Sequence, residues 1–302
     1  MDQTFLSRLK EELREDQIRQ REPMKGYVTF RVGGEADYFL LPETEEEVGE
    51  ILSLCREFEI PYYIVGNGSN LLVSDQGYRG AVVYLRKLQQ IRVEGNRIHA
   101  QAGALLSKVA VAAWESSLAG FEFAEGIPGT IGGACVMNAG AYGGELKDVL
   151  ESAVVLTPEG EIRRLSREEM ELGYRTSVVS KKGYVALGVT LKLQEGNQEE
   201  IGERMADFKQ RRVTKQPLEY PSAGSTFKRP EGYFAGKLIQ DTGLRGFSCG
   251  GAQVSEKHCG FVINRKDATA AEVYSLICQV SDRVYEKFGV RLEPEVKRLG
   301  EF

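Results

Sequence analysis

The chain has 302 residues, with 44 acidic and 39 basic side chains and a formal net charge of −5. This length allows two or three domains with sizeable cores, and the negative charge does not favour a nucleic-acid partner. No apolar run reaches the roughly 18 residues of a membrane span. The first residues are charged and helical in pattern, without the apolar core of a signal peptide. We therefore expect a cytoplasmic protein with no membrane partner.

Cysteine and histidine give no indication of metal or disulfide chemistry. Only His99 and His258 are present, and neither stands at metal-ligand spacing. No C-x-x-C pair occurs, and the odd number of cysteines favours reduced, buried thiols. We expect structural roles for all of them, and they are Cys55, Cys135, Cys249, Cys259 and Cys278.

The N-terminal part of the chain alternates helices and strands. Residues 4–20 predict an amphipathic helix, and residues 27–42 predict a strand, a turn and a second strand. Thr44 and Glu47 form a capping-box pattern that predicts a helix to about residue 58, and residues 62–65 predict another strand. The apolar side of the first helix comprises Phe5, Leu6, Leu9 and Leu13.

The middle of the chain continues as short strands and hairpins around one apolar helix. Strands are predicted at residues 81–85 and 183–193, hairpins at 91–103 and 152–166, and the helix at 105–117.

A polar, highly charged stretch near residue 200 indicates a domain boundary. It leads into a charged helix that ends before Pro217. The last hundred residues then predict a short helix after Phe234, strands within 246–264, a long helix at 270–288 and a final strand at 290–300.

The first glycine-rich loop, Gly66-Asn67-Gly68-Ser69-Asn70, directly follows the strand at 62–65. Glycine permits positive φ and removes Cβ, so successive amide groups can turn toward one point. Such a nest binds anions, most often phosphate, and Ser69 and Asn70 add side-chain donors. A simple tight turn is the alternative. If the loop binds a diphosphate, valine at position 68 should expel it.

The second glycine-rich loop spans residues 125–145 and contains seven glycines with almost no charge in its middle. Pro128 stiffens a turn, Gly129 frees the next amide and Thr130 offers a hydroxyl. This composition suits close backbone approach to a large cofactor, and a tightly packed core crossing is the alternative. We expect three apolar side chains to line a flat ring, namely Ile131, Val136 and Met137.

Neither loop matches a standard nucleotide motif. There is no G-x-x-x-x-G-K-[ST] for a P-loop, and no G-x-G-x-x-G that opens a helix with an acidic residue about twenty positions later. Two separate loops on an α+β framework therefore suggest a long cofactor that spans two lobes.

Five motifs occur in an order that resembles one known family. They are "GNGSNLLVSD", "GIPGTIGGACVMNAGAYGGE", "YRTS", "SAGSTFK" and "LEPEV". Together they resemble UDP-N-acetylenolpyruvoylglucosamine reductase (the MurB family), a flavoenzyme of peptidoglycan precursor synthesis. The resemblance runs from about residue 25 to 300. It implies an α+β fold, namely the FAD-binding fold shared with vanillyl-alcohol oxidase, made of two α+β subdomains, plus a C-terminal α+β substrate-binding domain.

The resemblance implies three domains and a set of cofactor-binding residues. The domains would be residues 1–85, 86–200 and 201–289, with the strand 290–302 returning to the first. FAD would be noncovalent, since no histidine and only Cys135 lies in the loops, and NADPH would donate hydride. The residues implied to bind FAD are Val65, Gly66, Asn67, Gly68, Ser69, Asn70, Gly126, Pro128, Gly129, Thr130, Gly133, Asn138 and Gly140.

The reaction implied by the family reduces an enolpyruvyl alkene, and enolate charge develops beside its carboxylate. This chemistry needs a cation or acid near the carboxylate and a proton donor on one face. The resemblance assigns Arg175 to the carboxylate, Glu295 to the enolate and Ser225 to proton delivery. Burial should raise the pKa of Glu295. Glu293 is the neighbouring candidate, since both should point to the same side of an extended strand.

The substrate would be UDP-N-acetylglucosamine enolpyruvate, gripped by residues of the C-terminal domain. A solvated basic surface is the alternative for this cluster. The loop after Arg175 is short, as in the second, shorter type of the family, so closure by a tyrosine lid is not expected. We expect a monomer. The residues predicted to bind substrate are Lys215, Tyr220, Lys228 and Gln240.

Two other functions are compatible with the sequence. One is an FAD-dependent oxidoreductase of the same fold that uses another small substrate. The other is a non-enzymatic protein that binds flavin or a nucleotide sugar. The first predicts that the three candidate catalytic residues lie away from the flavin, and the second predicts bound ligand without NADPH oxidation.

Overall fold

The structure is a computed structural model that describes residues 2–302. The helices are α1 (Gln3–Glu12), α2 (Glu45–Glu57), α3 (Leu106–Glu115), α4 (Ile131–Met137), α5 (Val178–Lys182), α6 (Gln198–Lys215), α7 (Ala235–Asp241) and α8 (Ala270–Phe288). The strands are β1 (Ile18–Pro23), β2 (Glu35–Leu40), β3 (Tyr62–Val65), β4 (Leu71–Val73), β5 (Tyr78–Tyr84), β6 (Ile91–Glu94), β7 (Arg97–Gln101), β8 (Leu118–Ala119), β9 (Gly140–Ala141), β10 (Gly144–Glu145), β11 (Leu150–Leu156), β12 (Ile162–Ser166), β13 (Val185–Lys192), β14 (Gln194–Glu195), β15 (Ser248–Cys249), β16 (Ala252–Val254), β17 (Val262–Asn264) and β18 (Lys297–Leu299).

The first predicted helix is shorter than its pattern suggested. It ends at Glu12, and Leu13 already has an extended backbone conformation. The reason is that the next apolar residue after Leu13 is Ile18, five positions later, so no helical apolar stripe continues. Residues from Ile18 onward instead form β1, which pairs with β2.

Two strands were expected within residues 27–42, and the first of them is wrong. Only the second forms, as β2, and its partners in the sheet are β1 and β5. The helix predicted after Thr44 is confirmed as α2, and the Thr44 hydroxyl accepts a hydrogen bond from the Glu47 amide. The Glu47 carboxylate reaches the Glu43 amide rather than Thr44, so the capping is not reciprocal.

Residues 2–302 divide into two compact units, each assembled from separate chain segments. Unit 1 comprises residues up to 19, 38–67 and 80–211, and unit 2 comprises residues 20–37, 68–79 and 212–302. The chain therefore changes unit within the glycine-rich loop, between Asn67 and Gly68. The predicted three-domain division stays a prediction.

Unit 1 contains two hydrophobic cores. The first joins α1 and α2 to buried residues of β2 and β5, in a sheet ordered β1-β2-β5-β3 whose β3 and β5 run parallel. The second core lies between a five-stranded sheet, ordered β12-β11-β13-β7-β6, and the helices α3 and α4. Both predicted hairpins, β6–β7 and β11–β12, are confirmed as antiparallel pairs.

Unit 2 is built around helix α8, one face of which is buried along its whole length. A three-stranded antiparallel sheet, β15-β16-β17, and helix α7 share its core. The strand β18 pairs in parallel with β4, the strand that follows the first glycine-rich loop. The C-terminal segment thus packs on residues 71–73, although only 297–299 of the predicted strand 290–300 are regular. Within residues 2–302, no helix combines the length and apolarity needed to cross a membrane.

Asp75 closes the motif "GNGSNLLVSD" and caps helix α8. Its carboxylate accepts hydrogen bonds from the Ala270 amide at 2.8 Å and the Ala271 amide at 2.9 Å, while Thr269 caps the amide of Glu272. The negative charge also complements the positive end of the helix dipole.

Replacing Asp75 with alanine should lower the free energy of unfolding by about 1–2 kcal/mol, because two amides at the start of α8 lose their acceptor. Urea unfolding measures this loss. Gln76→Ala alters an exposed neighbour and should be neutral. Equal stability of the two variants would contradict the capping role of Asp75.

Candidate functional site

The two glycine-rich loops, predicted independently, meet within unit 1. The Asn67 side-chain amide donates a hydrogen bond to the Pro128 carbonyl at 2.7 Å. A Cβ atom on Gly66 would overlap the Thr130 hydroxyl, so only glycine permits this close approach. The contact makes one continuous surface from residues that are about sixty positions apart in the sequence.

Gly68 owes its identity to the protein backbone. It belongs to unit 2, has φ of +60°, and a Cβ there would overlap the Tyr27 carbonyl oxygen. The Thr29 amide also donates to the Gly68 carbonyl at 3.2 Å. Valine at position 68 was expected to be damaging because it would occupy the space of the diphosphate. A clash with the protein backbone is already enough to make it damaging. Such a variant would disrupt the loop with or without a ligand.

Helix α4 carries the centre of the second loop. The Thr130 hydroxyl caps it by accepting from the Gly133 amide at 3.3 Å, and Asn138 ends it in the left-handed conformation. Gly133 is exposed, and a Cβ there would have only the Thr130 hydroxyl nearby, at 3.6 Å. The helix thus has open space above its backbone at Gly133.

The apolar side chains of α4 divide between the core and the surface. Ile131 is fully buried in the core of unit 1, so the expectation that it lines a flat ring is wrong. Val136 is 36% exposed and Met137 is half-buried, and both can contact a ligand. Val136 stands three positions after Gly133, which places both on one face of the helix.

Asn138 and Thr130 are only 2% exposed, and both side chains have structural partners. The Asn138 amide donates to the Glu145 carboxylate, and its oxygen accepts from the Lys147 amide at 2.9 Å. These bonds brace the β9–β10 hairpin, where a Cβ on Gly140 would overlap Gly144. Earlier in the loop the backbone is more open, since Gly126 and Pro128 are exposed and Gly129 is half-buried.

Arg175 occupies a strained turn in unit 1. Gly173 and Thr176 pair through backbone hydrogen bonds, and Arg175 between them has φ of +54°, which non-glycine residues rarely adopt. Its guanidinium lies 5.5 Å from the ring centre of the exposed Tyr174, and the short helix α5 follows. Strained backbone of this kind occurs at functional positions, although eight other non-glycine residues among residues 2–302 also have positive φ.

Arg175→Gly should leave the free energy of unfolding within about 1 kcal/mol of the unchanged protein, because glycine relieves the turn strain as the side chain is lost. If Arg175 pairs with the carboxylate of an enolpyruvyl substrate, as the family resemblance implies, turnover should nevertheless fall steeply, because no guanidinium remains. Arg175→Lys keeps the charge but not the bidentate geometry, and should fall in between. Thermal unfolding and turnover rates measure both effects. Full turnover in the glycine variant would contradict the assignment.

Unit 2 pairs the segment that contains Ser225 with the segment that contains Glu295. Thr226, which follows the exposed Ser225, accepts a hydrogen bond from the Glu295 amide at 2.8 Å, and Phe227 bridges to Pro294. The fully buried Thr226 hydroxyl accepts in turn from the Val262 amide at 2.9 Å. Thr226 was not predicted as important, although its place inside "AGSTF" was the available signal.

The structure separates the two candidate glutamates. Glu295 is 8% exposed, whereas the side chain of Glu293 is 68% exposed and forms an ion pair with Lys228. Residues 293–295 lie before β18, where backbone hydrogen bonds join Glu293 to Lys228 and Glu295 to Thr226, and the expectation that both side chains point to the same side stays a prediction. Because Glu295 is buried, it is the better candidate for a carboxyl group that acts shielded from water.

The predicted substrate-binding residues lie in unit 2 with different partners. Lys215, the last residue of α6, is exposed, and the ring of Tyr220 lies 4.4 Å below the Arg265 guanidinium. The Gln240 side chain accepts from Arg245 at 2.7 Å. Lys228 forms an ion pair with Glu293.

The cysteines expected to be buried divide into two groups: Cys55, Cys135 and Cys259 are buried, whereas Cys249 and Cys278 are only partly buried. Cys135 is fully buried in α4, and burial raises the pKa of its thiol to about 12. Burial also lowers the pKa of the His258 imidazole. No group of three or more potential metal ligands exists among residues 2–302.

Known protein families match an N-terminal and a C-terminal segment of the chain. Residues 36–166 match an FAD binding domain, and residues 216–299 match the C-terminal domain of UDP-N-acetylenolpyruvoylglucosamine reductase. The reductase of Clostridioides difficile (strain 630) is 55% identical over 96% of this chain and 95% of its own length. That of Exiguobacterium sibiricum is 53% identical over 100% of this chain and 99% of its own.

Solved structures agree with these matches. The crystal structure of UDP-N-acetylenolpyruvylglucosamine reductase (MurB) from Thermus caldophilus matches with a TM-score of 0.81 and 37% identity, covering 94% of this chain and 100% of that one. Phl p 4.0202, a glucose dehydrogenase, matches with a TM-score of 0.52 and 16% identity, over 65% of this chain and 44% of its own. The second likeness concerns the fold alone.

The fold and the joined glycine-rich loops define an oxidoreductase with an FAD-binding fold of the vanillyl-alcohol oxidase type and an additional C-terminal domain. The predicted α+β fold class and FAD as cofactor are thereby confirmed. The chain belongs to the UDP-N-acetylenolpyruvoylglucosamine reductase family of peptidoglycan precursor synthesis, as its five motifs predicted.

Proposed function

We propose that this chain reduces UDP-N-acetylglucosamine enolpyruvate to UDP-N-acetylmuramate with NADPH as the hydride donor. The observation that carries the proposal is the backbone pairing of Thr226 with Glu295, which joins the segment that contains Ser225 to the segment of the buried Glu295. Reduction of an alkene next to a carboxylate requires a proton donor and an acid or cation, and these two segments carry residues that the family resemblance assigns to those roles. We keep the cytoplasmic location and the monomeric state as predictions.

The chain's own residues would divide binding and proton transfer between them. FAD, when bound, supplies hydride transfer. Arg175 pairs with the substrate carboxylate, and its guanidinium stabilises the enolate charge that develops there. Glu295 would hydrogen-bond the developing enolate, and Ser225 would deliver its proton to the carbon that the hydride does not reach. The net change is one hydride and one proton added across the double bond.

The residues of the joined loops fit FAD. The backbone of residues 65–70, with the side chains of Ser69 and Asn67 beside it, suits a diphosphate. The open face of α4, with Gly133 and Val136, suits a flat apolar ring. Cys135 has no exposed surface and a pKa of about 12, so its thiol is unsuited to forming a covalent flavin bond, and we propose noncovalent FAD.

The UDP group would lie on unit 2, where Lys215, Tyr220, Lys228 and Gln240 supply cations and polar groups. Lys228 and Gln240 are held by Glu293 and Arg245. Substrate phosphate would have to compete with the Lys228 ion pair, whereas Lys215 is exposed and available. Tyr220 with Arg265 above its ring offers a flat, charged surface to a base.

Steady-state oxidation of NADPH by the purified protein tests this function. We expect oxidation to depend on UDP-N-acetylglucosamine enolpyruvate, with formation of UDP-N-acetylmuramate. Oxidation that needs only oxygen, or that proceeds equally with an unrelated small acceptor, would favour another FAD-dependent oxidoreductase of this fold. Bound flavin without any oxidation would favour a binding protein.

A further inference from the structure

The peptide groups around Glu295 are held from both sides within unit 2. Its amide donates to the Thr226 carbonyl at 2.8 Å. Its carbonyl oxygen accepts a hydrogen bond from the side-chain amide of Asn70 at 3.2 Å. The two bonds reach Glu295 from chain segments that are far away in the sequence, and neither uses its carboxyl group.

Asn70 also holds the chain two residues further on. The Lys297 amide donates to the Asn70 carbonyl at 3.0 Å, and the parallel pairing of β4 with β18 begins at the next residues. The side chain and main chain of Asn70 therefore bracket the segment from Glu295 to Lys297. Asn70 lies in the glycine-rich loop predicted to bind the FAD diphosphate, yet this amide donates to the Glu295 backbone.

We infer that Asn70 is a positioning residue for Glu295. This inference rests on the proposed function and assigns to Asn70 a role in the reduction of the enolpyruvyl group, in place of the diphosphate contact that its motif suggests. The amide orients the Glu295 peptide, and the peptide determines where the buried carboxyl group points.

Small changes in the direction of the Glu295 carboxyl group should have large effects on the reaction rate. A misplacement of about 1 Å in a catalytic group can cost about a hundredfold in rate. In Asn70→Ala the Glu295 carbonyl loses a donor while the Thr226 bond remains, so the segment can rotate without unfolding. Asn70→Asp has nearly the same shape but offers a carboxylate in place of the donor, and should be at least as damaging.

A double-mutant cycle between Asn70→Ala and Glu295→Gln tests the inference in the FAD-loaded enzyme. For Asn70→Ala alone we expect unchanged flavin content, reduction of flavin by NADPH within about twofold of normal, and at least about tenfold slower reoxidation at saturating enolpyruvyl substrate. In the Glu295→Gln background, Asn70→Ala should cause no further slowing, because it acts through that carboxyl group.

A matched control removes the same kind of bond elsewhere in unit 2. Asn264 donates its side-chain amide to the Phe30 carbonyl at 3.1 Å and also accepts from the Ala268 amide at 2.8 Å, so Asn264→Ala should lower the melting temperature without slowing reoxidation at saturating substrate. Loss of flavin from Asn70→Ala would overturn the inference in favour of a cofactor contact. Equal slowing in both backgrounds would also overturn it. If Glu295→Gln reoxidises normally, the proposed role of Glu295 fails instead.

Discussion

Ser225→Ala should slow reoxidation of the flavin by the enolpyruvyl substrate by at least about a hundredfold, the usual effect of losing a general acid. Reduction of the flavin by NADPH needs no proton from a serine and should stay nearly unchanged. Stopped-flow absorbance measures the two half-reactions separately. The exposed Ser225 side chain makes a large structural effect of this substitution unexpected.

Ser222→Ala is the matched control for this prediction. Ser222 lies in the same loop, where its backbone bridges to Ile263, and its substitution should leave both half-reactions intact. A solvent deuterium effect on reoxidation should be present in the unchanged protein, since proton delivery is part of that half-reaction. Reoxidation of Ser225→Ala at the normal rate with saturating substrate would rule out serine as the proton donor.

Gly133→Ala should stabilise the protein without cofactor by about 0.5 kcal/mol, because alanine favours helix and its Cβ has open space at this position. The same methyl group should lower the affinity for FAD strongly, because it fills the patch of α4 on which we place the cofactor. Gly133→Val should abolish flavin retention during purification. Flavin content by absorbance and unfolding by denaturant measure the two effects.

Gly49→Ala supplies a control with the same chemistry. Gly49 lies in α2, and a Cβ there would meet nothing within 4 Å. It should stabilise the protein to a similar degree and keep its flavin. Normal flavin affinity in both Gly133 variants would show that the cofactor does not approach this face of α4. Gly68 cannot serve for this test, since its substitution disturbs the protein backbone itself.

Elements determined by local patterns could be predicted from the sequence. The strand β3, the hairpin β6–β7 and the helix α8 match their predicted positions, because apolar periodicity and turn residues specify them within a few positions. The charged helix α6 was recognised in the same way, and it ends before Pro217 as expected. The two glycine-rich loops were recognised by composition alone.

Features that depend on distant parts of the chain could not be predicted. The strand β1 lacks an apolar alternation and exists through its pairing with β2. The motif "GNGSNLLVSD" suggested one function, yet Gly68 packs on Tyr27, Asn70 reaches Glu295 and Asp75 caps α8. These roles follow from long-range packing, which a local pattern does not contain.

The choice between Glu293 and Glu295 shows the same limit. The two residues are two positions apart, and the alternation of a strand would place them alike. Their burial nevertheless differs, and the backbone of the buried Glu295 is held by Thr226 and Asn70. Family resemblance selected Glu295, and the structure supplies a physical reason for that selection.

Anaerobic mixing of NADPH-reduced protein with UDP-N-acetylglucosamine enolpyruvate tests the central proposal most directly. The flavin absorbance at about 450 nm should return with one equivalent of substrate, and UDP-N-acetylmuramate should form in the same amount. A flavin that stays reduced until oxygen is admitted, with the enolpyruvyl substrate unchanged, would contradict the proposed function.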